Sequence, residues 1–133
     1  MNRTLTDVFG AVIHFYTRRQ AIADGVLVDV TETAREAGFA FPAALTAAAW
    51  SDCVAWTDAA ERACQDESGR LWDVLSMASW AIRANNVPSD SLKFSLYRIP
   101  RGGTRPRLVT LLVQIGPGDA GEPVVTIMLP DED

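Results

Sequence analysis

The chain has 133 residues, of which 48% are hydrophobic and 22% charged. That length suits one hydrophobic core and not two, and the composition excludes the disordered, collagen-like and low-complexity classes. A formal net charge of -5 argues against a general nucleic-acid binder, which needs a basic excess to neutralise phosphates.

The charge is unevenly placed along the chain. Acids outnumber bases from Met1 to Leu92, whereas Lys93, Arg98, Arg101, Arg105 and Arg107 fall in one stretch without Asp or Glu. Acids return at Asp119 and Glu122 and end the sequence as Asp131, Glu132 and Asp133, a short solvated run. All but one of the twelve basic residues are Arg, which reads as genome composition before any demand for bidentate contacts. Cys53 and Cys64 are too few and too close for a secreted disulfide framework, and no partner stands near them at zinc-ligand spacing. Both are expected to be reduced, with no metal site. Met1 to Asp7 has no long apolar core, and every apolar run falls far below the roughly 20 residues of a membrane span, which predicts a cytoplasmic protein.

In chain order, the apolar run Val12 to Tyr16 stops at Thr17-Arg18-Arg19-Gln20, the spacing of a capping box, so a short helix is predicted from Arg18 to Asp24-Gly25. Val26 beyond the glycine is expected to pack back on its last turn. Val26 to Val30 reads as a short strand. Thr33 and Glu36 repeat the capping spacing and predict a helix over Ala34 to Ala37 ending at Gly38. Pro42 at a first turn, followed by Ala43 to Trp56 without a breaker, predicts a central helix with Leu45, Ala49, Cys53 and Trp56 on one face. Asp58 to Ala63 continues or restarts it, and Gln65 to Gly69 interrupts. Leu71, Val74, Leu75, Ala78 and Ile82 then mark a last helix to about Ala84, ended by Asn85 to Pro88.

After Pro88 the period becomes twofold. Leu92, Phe94 and Leu96, then Val109, Leu111, Val113 and Ile115, then Val125, Ile127 and Leu129 alternate with their neighbours, and Gly-rich turns join the three runs. The predicted architecture is α+β in a single domain, 1–133. A helical part over about 1–86 packs on a three-stranded antiparallel meander over about 91–130, with a short extra strand near 26–30. Leu112 and Met128 face away from the helices, so the far side of the sheet is not wholly polar.

No catalytic fingerprint stands out. His14 is the sole histidine, set between Ile13 and Phe15, where a hydrogen-bonded structural role outweighs general-base work. Cys53 lies in an Ala- and Trp-rich run with nothing to lower its pKa. Gly102-Gly103 and Gly116-Pro117-Gly118 do not lead from a strand into a helix and lack the Lys-Ser/Thr ending of a phosphate loop, so they read as hairpin turns. No cofactor is called for. Of the four tryptophans, Trp72 and Trp80 lie off the apolar stripe of their helix and are the candidate partner anchors. Lys93, Tyr97, Arg101, Arg105 and Arg107 would gather along one strand and its turn. They would offer donors and a stacking ring to a phosphate or carboxylate partner, unless they only guard an edge strand.

The strings Tyr16 to Val30, Gln65 to Leu75, Pro100-Arg101-Gly102-Gly103 and Val125 to Pro130 resemble a family of short uncharacterised bacterial proteins labelled plasmid-related, found on plasmids and integrative elements. The resemblance covers nearly the whole chain. It implies a setting and no site: small acidic proteins of mobile elements include accessory factors similar to anti-CRISPR and antirestriction inhibitors. Ile13 to Thr17, the short helix and Gly25-Val26-Leu27 also loosely resemble the opening of ADP-ribosyltransferases, for which Tyr97 and Glu122 would have to supply the later aromatic and acid.

Three readings follow. The first is a non-enzymatic protein-binding module of a mobile element in the bacterial cytoplasm, acting on a host or element-encoded protein, with inhibition of host defence as one form. The second is an ADP-ribosyltransferase-like enzyme. The third is nucleic-acid or anion binding through the basic hairpin 93–107. Oligomeric state is left open.

Overall fold

The capping spacing at Thr17 sets the first helix, α1 (Arg18–Ala23). The Thr17 hydroxyl accepts from the Gln20 amide at 3.0 Å, and the Gln20 side chain accepts from the Thr17 amide at 2.9 Å. Gly25, at φ +78°, closes the helix with its amide on the Ile22 carbonyl and that of Val26 on Ala21. Val26 itself stays half exposed, so hydrogen bonds and not apolar burial fix this turn. The computed structural model describes residues 16–57 and 65–132. His14 and the predicted continuation Asp58 to Ala63 lie outside the described residues, as does Cys64.

Strand β1 (Leu27–Asp29) leads directly into α2 (Thr31–Glu36), which starts earlier than the predicted Ala34. The reason is Asp29, whose carboxylate accepts from both the amide and the hydroxyl of Thr31, at 3.1 and 2.6 Å. That local bond turns the chain before the Thr33 to Glu36 spacing can act as a cap. Gly38, at φ +106°, ends α2 in the same manner as Gly25 ends α1, with the Phe39 amide on the Ala34 carbonyl.

The largest departure from the sequence reading lies at Ala43–Thr46, predicted as the opening of a central helix and found as strand β2. Helix propensity favours Ala, but three buried residues here are flanked by strands on both sides, and tertiary pairing overrides propensity. Pro42 accordingly is no helix start; its carbonyl accepts from the Val125 amide at 2.8 Å. Helix α3 (Ala47–Cys53) begins only after Thr46, whose hydroxyl accepts from the Ala49 amide and bonds the Glu132 carboxylate. Ala49 and Cys53 are buried as the face predicted, whereas Trp56 lies past the helix end.

Helix α4 (Glu67–Ala84) also starts earlier than expected, because Asp66 caps it by accepting from the Gly69 amide and the predicted interruption forms its first turn. Leu71, Val74, Leu75 and Ala78 are buried as the stripe requires, and the helix ends at Ala84. The three predicted strands follow as β3 (Ser91–Arg98), β4 (Arg107–Pro117) and β5 (Pro123–Met128), paired antiparallel in sequence.

The sheet is nevertheless five-stranded and mixed, in the order β1-β2-β5-β4-β3, and not a three-stranded meander with a detached strand. Strand β2 runs parallel to β5, with Ala43 opposite Val125 and Leu45 opposite Ile127, and β1 pairs antiparallel with β2. Register places Leu45, Ile127, Val113, Leu111, Phe94 and Leu96 on one face, where they join Ala49, Cys53, Val74, Leu75 and Ala78 in one hydrophobic cluster. On the other face Ala44 and Met128 are buried and Leu112 is half buried. There the Arg18 guanidinium donates to the Thr126 hydroxyl and the Val125 carbonyl, and Asp119 accepts from the Arg18 and Arg19 amides, which ties α1 to the β5 region.

A left-handed backbone costs a side chain about 1–2 kcal/mol, so Gly25→Ala and Gly38→Ala should each destabilise by about that amount. Gly38→Ala should be the worse, since its added methyl would stand 3.3 Å from the Ser79 hydroxyl while that at Gly25 meets nothing. Urea unfolding of both variants checks the order.

Candidate functional site

Strand β3 is an outer strand of the sheet, and α4 runs antiparallel above it. The start of the helix lies over the end of the strand, where Arg70 donates to the Ile99 carbonyl; its last turn lies over the beginning, where Ile82 adjoins Leu92. Spacing of four residues puts Trp72, Ser76 and Trp80 in one row on the outer side of α4. Trp72, Ser76 and Met77 together with Ser95, Tyr97 and Leu108 line an open groove of about 400 Å³ along the strand edge. Tyr97 is 70% exposed and Trp80 62%, and Trp72, Met77 and Leu108 are also exposed. Large apolar side chains left in solvent side by side mark an interaction surface more often than isolated ones do.

The residues singled out in the sequence separate into two groups. Trp72, Trp80 and Tyr97 border the groove or its helix row, and Lys93 stands exposed on β3 on the same sheet face as Tyr97. Arg101, Arg105 and Arg107 stand exposed at the β3–β4 connection, with Arg101 reaching the Ser51 hydroxyl at 3.4 Å. Tyr97 lies opposite Leu108 at the beginning of β4, whereas Glu122 lies beyond its far end and accepts from the Ala120 amide. The pair needed for an ADP-ribosyltransferase site is therefore not brought together.

Two residues that sequence reasoning passed over form a second, adjoining cavity of about 200 Å³, lined by Cys53, Arg70, Asp73, Tyr97 and Arg98 among others. Arg98 points inward from β3 and binds Asp52 at 2.7 Å. Arg70 is only 3% exposed. Its Nε donates to the Val54 carbonyl, its Nη1 to the Ile99 carbonyl and the Gln65 side chain, and its guanidinium lies 4.7 Å from the centre of the Trp56 ring. Burial, and then the nearby Arg98 charge, push its pKa down. The available signal was a charged residue on the Arg70, Val74, Ala78 row of an otherwise apolar helix face.

Cys53 is fully buried, and burial together with the Asp52 charge pushes its pKa up to about 11. It is a thiol at neutral pH and not a nucleophile. Among the described residues no group of His, Cys, Asp and Glu is placed to hold a metal ion, and no helix is long and apolar enough to cross a membrane.

A raised thiol pKa stabilises the fold below the pKa of the unfolded thiol and ceases to do so as pH rises through the folded value. Stability should thus fall between about pH 9 and 11. Peptide-resolved alkylation should find Cys53 unmodified in native protein at pH 8 and modified after unfolding; rapid native modification would contradict the assignment.

No curated protein matches the chain, and no solved structure does. Residues 5–133 match one family model, and the chain belongs to the Family of unknown function (DUF6573).

Proposed function

We propose that this protein is a binding module that takes an extended, acidic segment of a partner protein as an added strand along the outer edge of β3, beneath α4. The observation that carries it is the coincidence of an unpaired strand edge with a row of exposed aromatic and apolar side chains. Natural proteins guard long outer strands with proline, a bulge, short length or charged side chains, and of these β3 carries only the last, in Lys93 and the inward Arg98. Strand β3 has eight residues, contains no proline and pairs with β4 without a bulge, and among the described residues no strand covers its other side.

Strand addition supplies backbone hydrogen bonds from the edge and side-chain contacts from pockets that flank it. Here Trp72, Met77 and Trp80 lie on the helix side, and Tyr97 and Lys93 on the other. Charge selects the occupant. No Asp or Glu occurs from Ser91 to Gly118, and among the described residues only Arg98 of that stretch is in an ion pair. Lys93, Arg101, Arg105 and Arg107 are left to attract acid. Two copies joined edge to edge would bring these basic groups together, which disfavours self-association through β3.

As the setting, we propose an accessory role on a plasmid or integrative element, in the bacterial cytoplasm, with a component of a host defence system as the class of partner. Its support is the resemblance carried by Tyr16 to Val30, Gln65 to Leu75 and Val125 to Pro130.

Panning a randomised decapeptide library against the immobilised chain tests the binding mode. Enriched peptides should alternate apolar and acidic residues, and Trp80→Ser or Tyr97→Ser should weaken their binding at least tenfold while changing stability by less than about 0.5 kcal/mol. Enrichment of basic sequences, or binding indifferent to both variants, would overturn it, and a steeply salt-dependent capture of nucleic acid would favour the basic hairpin instead.

A further inference from the structure

We propose that the cavity between the start of α4 and the end of β3 is a carboxylate-binding pocket in which Arg70 and Arg98 hold the anion. Arg70 is an anomaly that the fold alone does not explain. A guanidinium buried this far ordinarily has a carboxylate partner, because an unpaired buried charge is costly. Arg70 has two carbonyls and an amide instead, and among the described residues no carboxylate pairs with it. Its Nη2 is buried, and among the described residues it has no hydrogen-bond partner. Of the five N–H donors in the planar fork three are engaged, and the two on Nη2 are left for an oxygen to take.

The surroundings fit an oxyanion and narrow its kind. Arg70 and Arg98 both line the cavity, and Arg101 lies near enough for its charge to bear on Arg70. The Asp52 carboxylate already engages Arg98, and Asp73 lines the same wall. Two fixed negative charges repel a phosphate dianion more than a singly charged carboxylate, so the pocket suits the latter.

Asp73, Leu96 and Tyr97 line both this cavity and the open groove on β3, so the two adjoin. A Glu or Asp side chain of a docked strand could therefore enter beside Tyr97 and reach Arg70; in that form the inference rests on the reading above. A free organic acid would use the same donors without it.

Nitrogen-15 spectra of the Arg70 side chain provide the test, with succinate, inorganic phosphate and chloride added at matched ionic strength, and with a library-selected peptide in its Glu and Gln forms. A saturable shift of the Arg70 Nε–H signal with succinate, or with the Glu peptide and not its Gln form, supports the pocket. The first result assigns a free acid and the second a partner side chain. Arg98→Gln, with the fold confirmed by its amide spectrum, should weaken either response at least tenfold. A peptide that binds while leaving the Arg70 signal unmoved overturns the pocket and leaves strand docking intact. A succinate response in a chain that captures no peptide supports the pocket and removes the docking reading. No saturable response to any carboxylate overturns the pocket.

Discussion

The parallel pairing of Ala43 to Leu45 with Val125 to Ile127 joins the two halves of the chain. Among the described residues before it, α1, β1 and α2 are short, and helices of six residues are not stable alone. After it come α3, α4 and a meander whose β5 would be an outer edge without β2. Inserting β2 covers β5, gives β1 a neighbour, and places Leu45 beside Ile127 in the middle of the core. Ala44 is fully buried on the opposite face of the sheet. Thr46 then ends the strand and caps α3 in one residue, with Glu132 bonded to its hydroxyl and to the Leu129 amide.

Among the described residues that arrangement leaves one long edge, β3, and it is the edge on which the proposed docking surface lies. Helix α4 is held over β3 by Leu71, Val74, Leu75 and Ala78 against Phe94 and Leu96. With those residues turned inward, Trp72, Met77 and Trp80 must turn outward, beside the strand whose outer side has no neighbouring strand among the described residues. The same geometry buries Arg70 at the helix start, one turn before Val74, against the carbonyls of Val54 and Ile99. Apolar anchors outside and a guanidinium inside thus adjoin along one wall shared by Asp73 and Tyr97.

Much of this is written locally in the sequence, and what is not has a physical cause. Helix α1 is readable because Thr17, Gln20 and Gly25 act within a few residues, and β3 to β5 because alternation is a short-range pattern. The outward row of Trp72 and Trp80 follows from helical spacing alone. Ala43 to Thr46 is not readable, since its strand form depends on neighbours far away in the chain and its Ala residues speak for helix. The start of α2 is misplaced for a subtler reason: Asp29 competes with Thr33 for the turn and lies nearer the strand. Arg70 and Arg98 escape notice because their meaning depends on burial, and sequence shows only that one interrupts an apolar row and the other belongs to a basic stretch.

Amide hydrogen exchange along β3, measured with and without a library-selected peptide, addresses the central claim most directly. If the outer edge of β3 is the docking edge, alternate amides from Ser91 to Arg98 exchange rapidly in the free chain and slow at least tenfold on binding, while those of β1 at the opposite edge do not change. Peptide binding that leaves the β3 amides as they were, or free β3 amides already protected throughout, would contradict it.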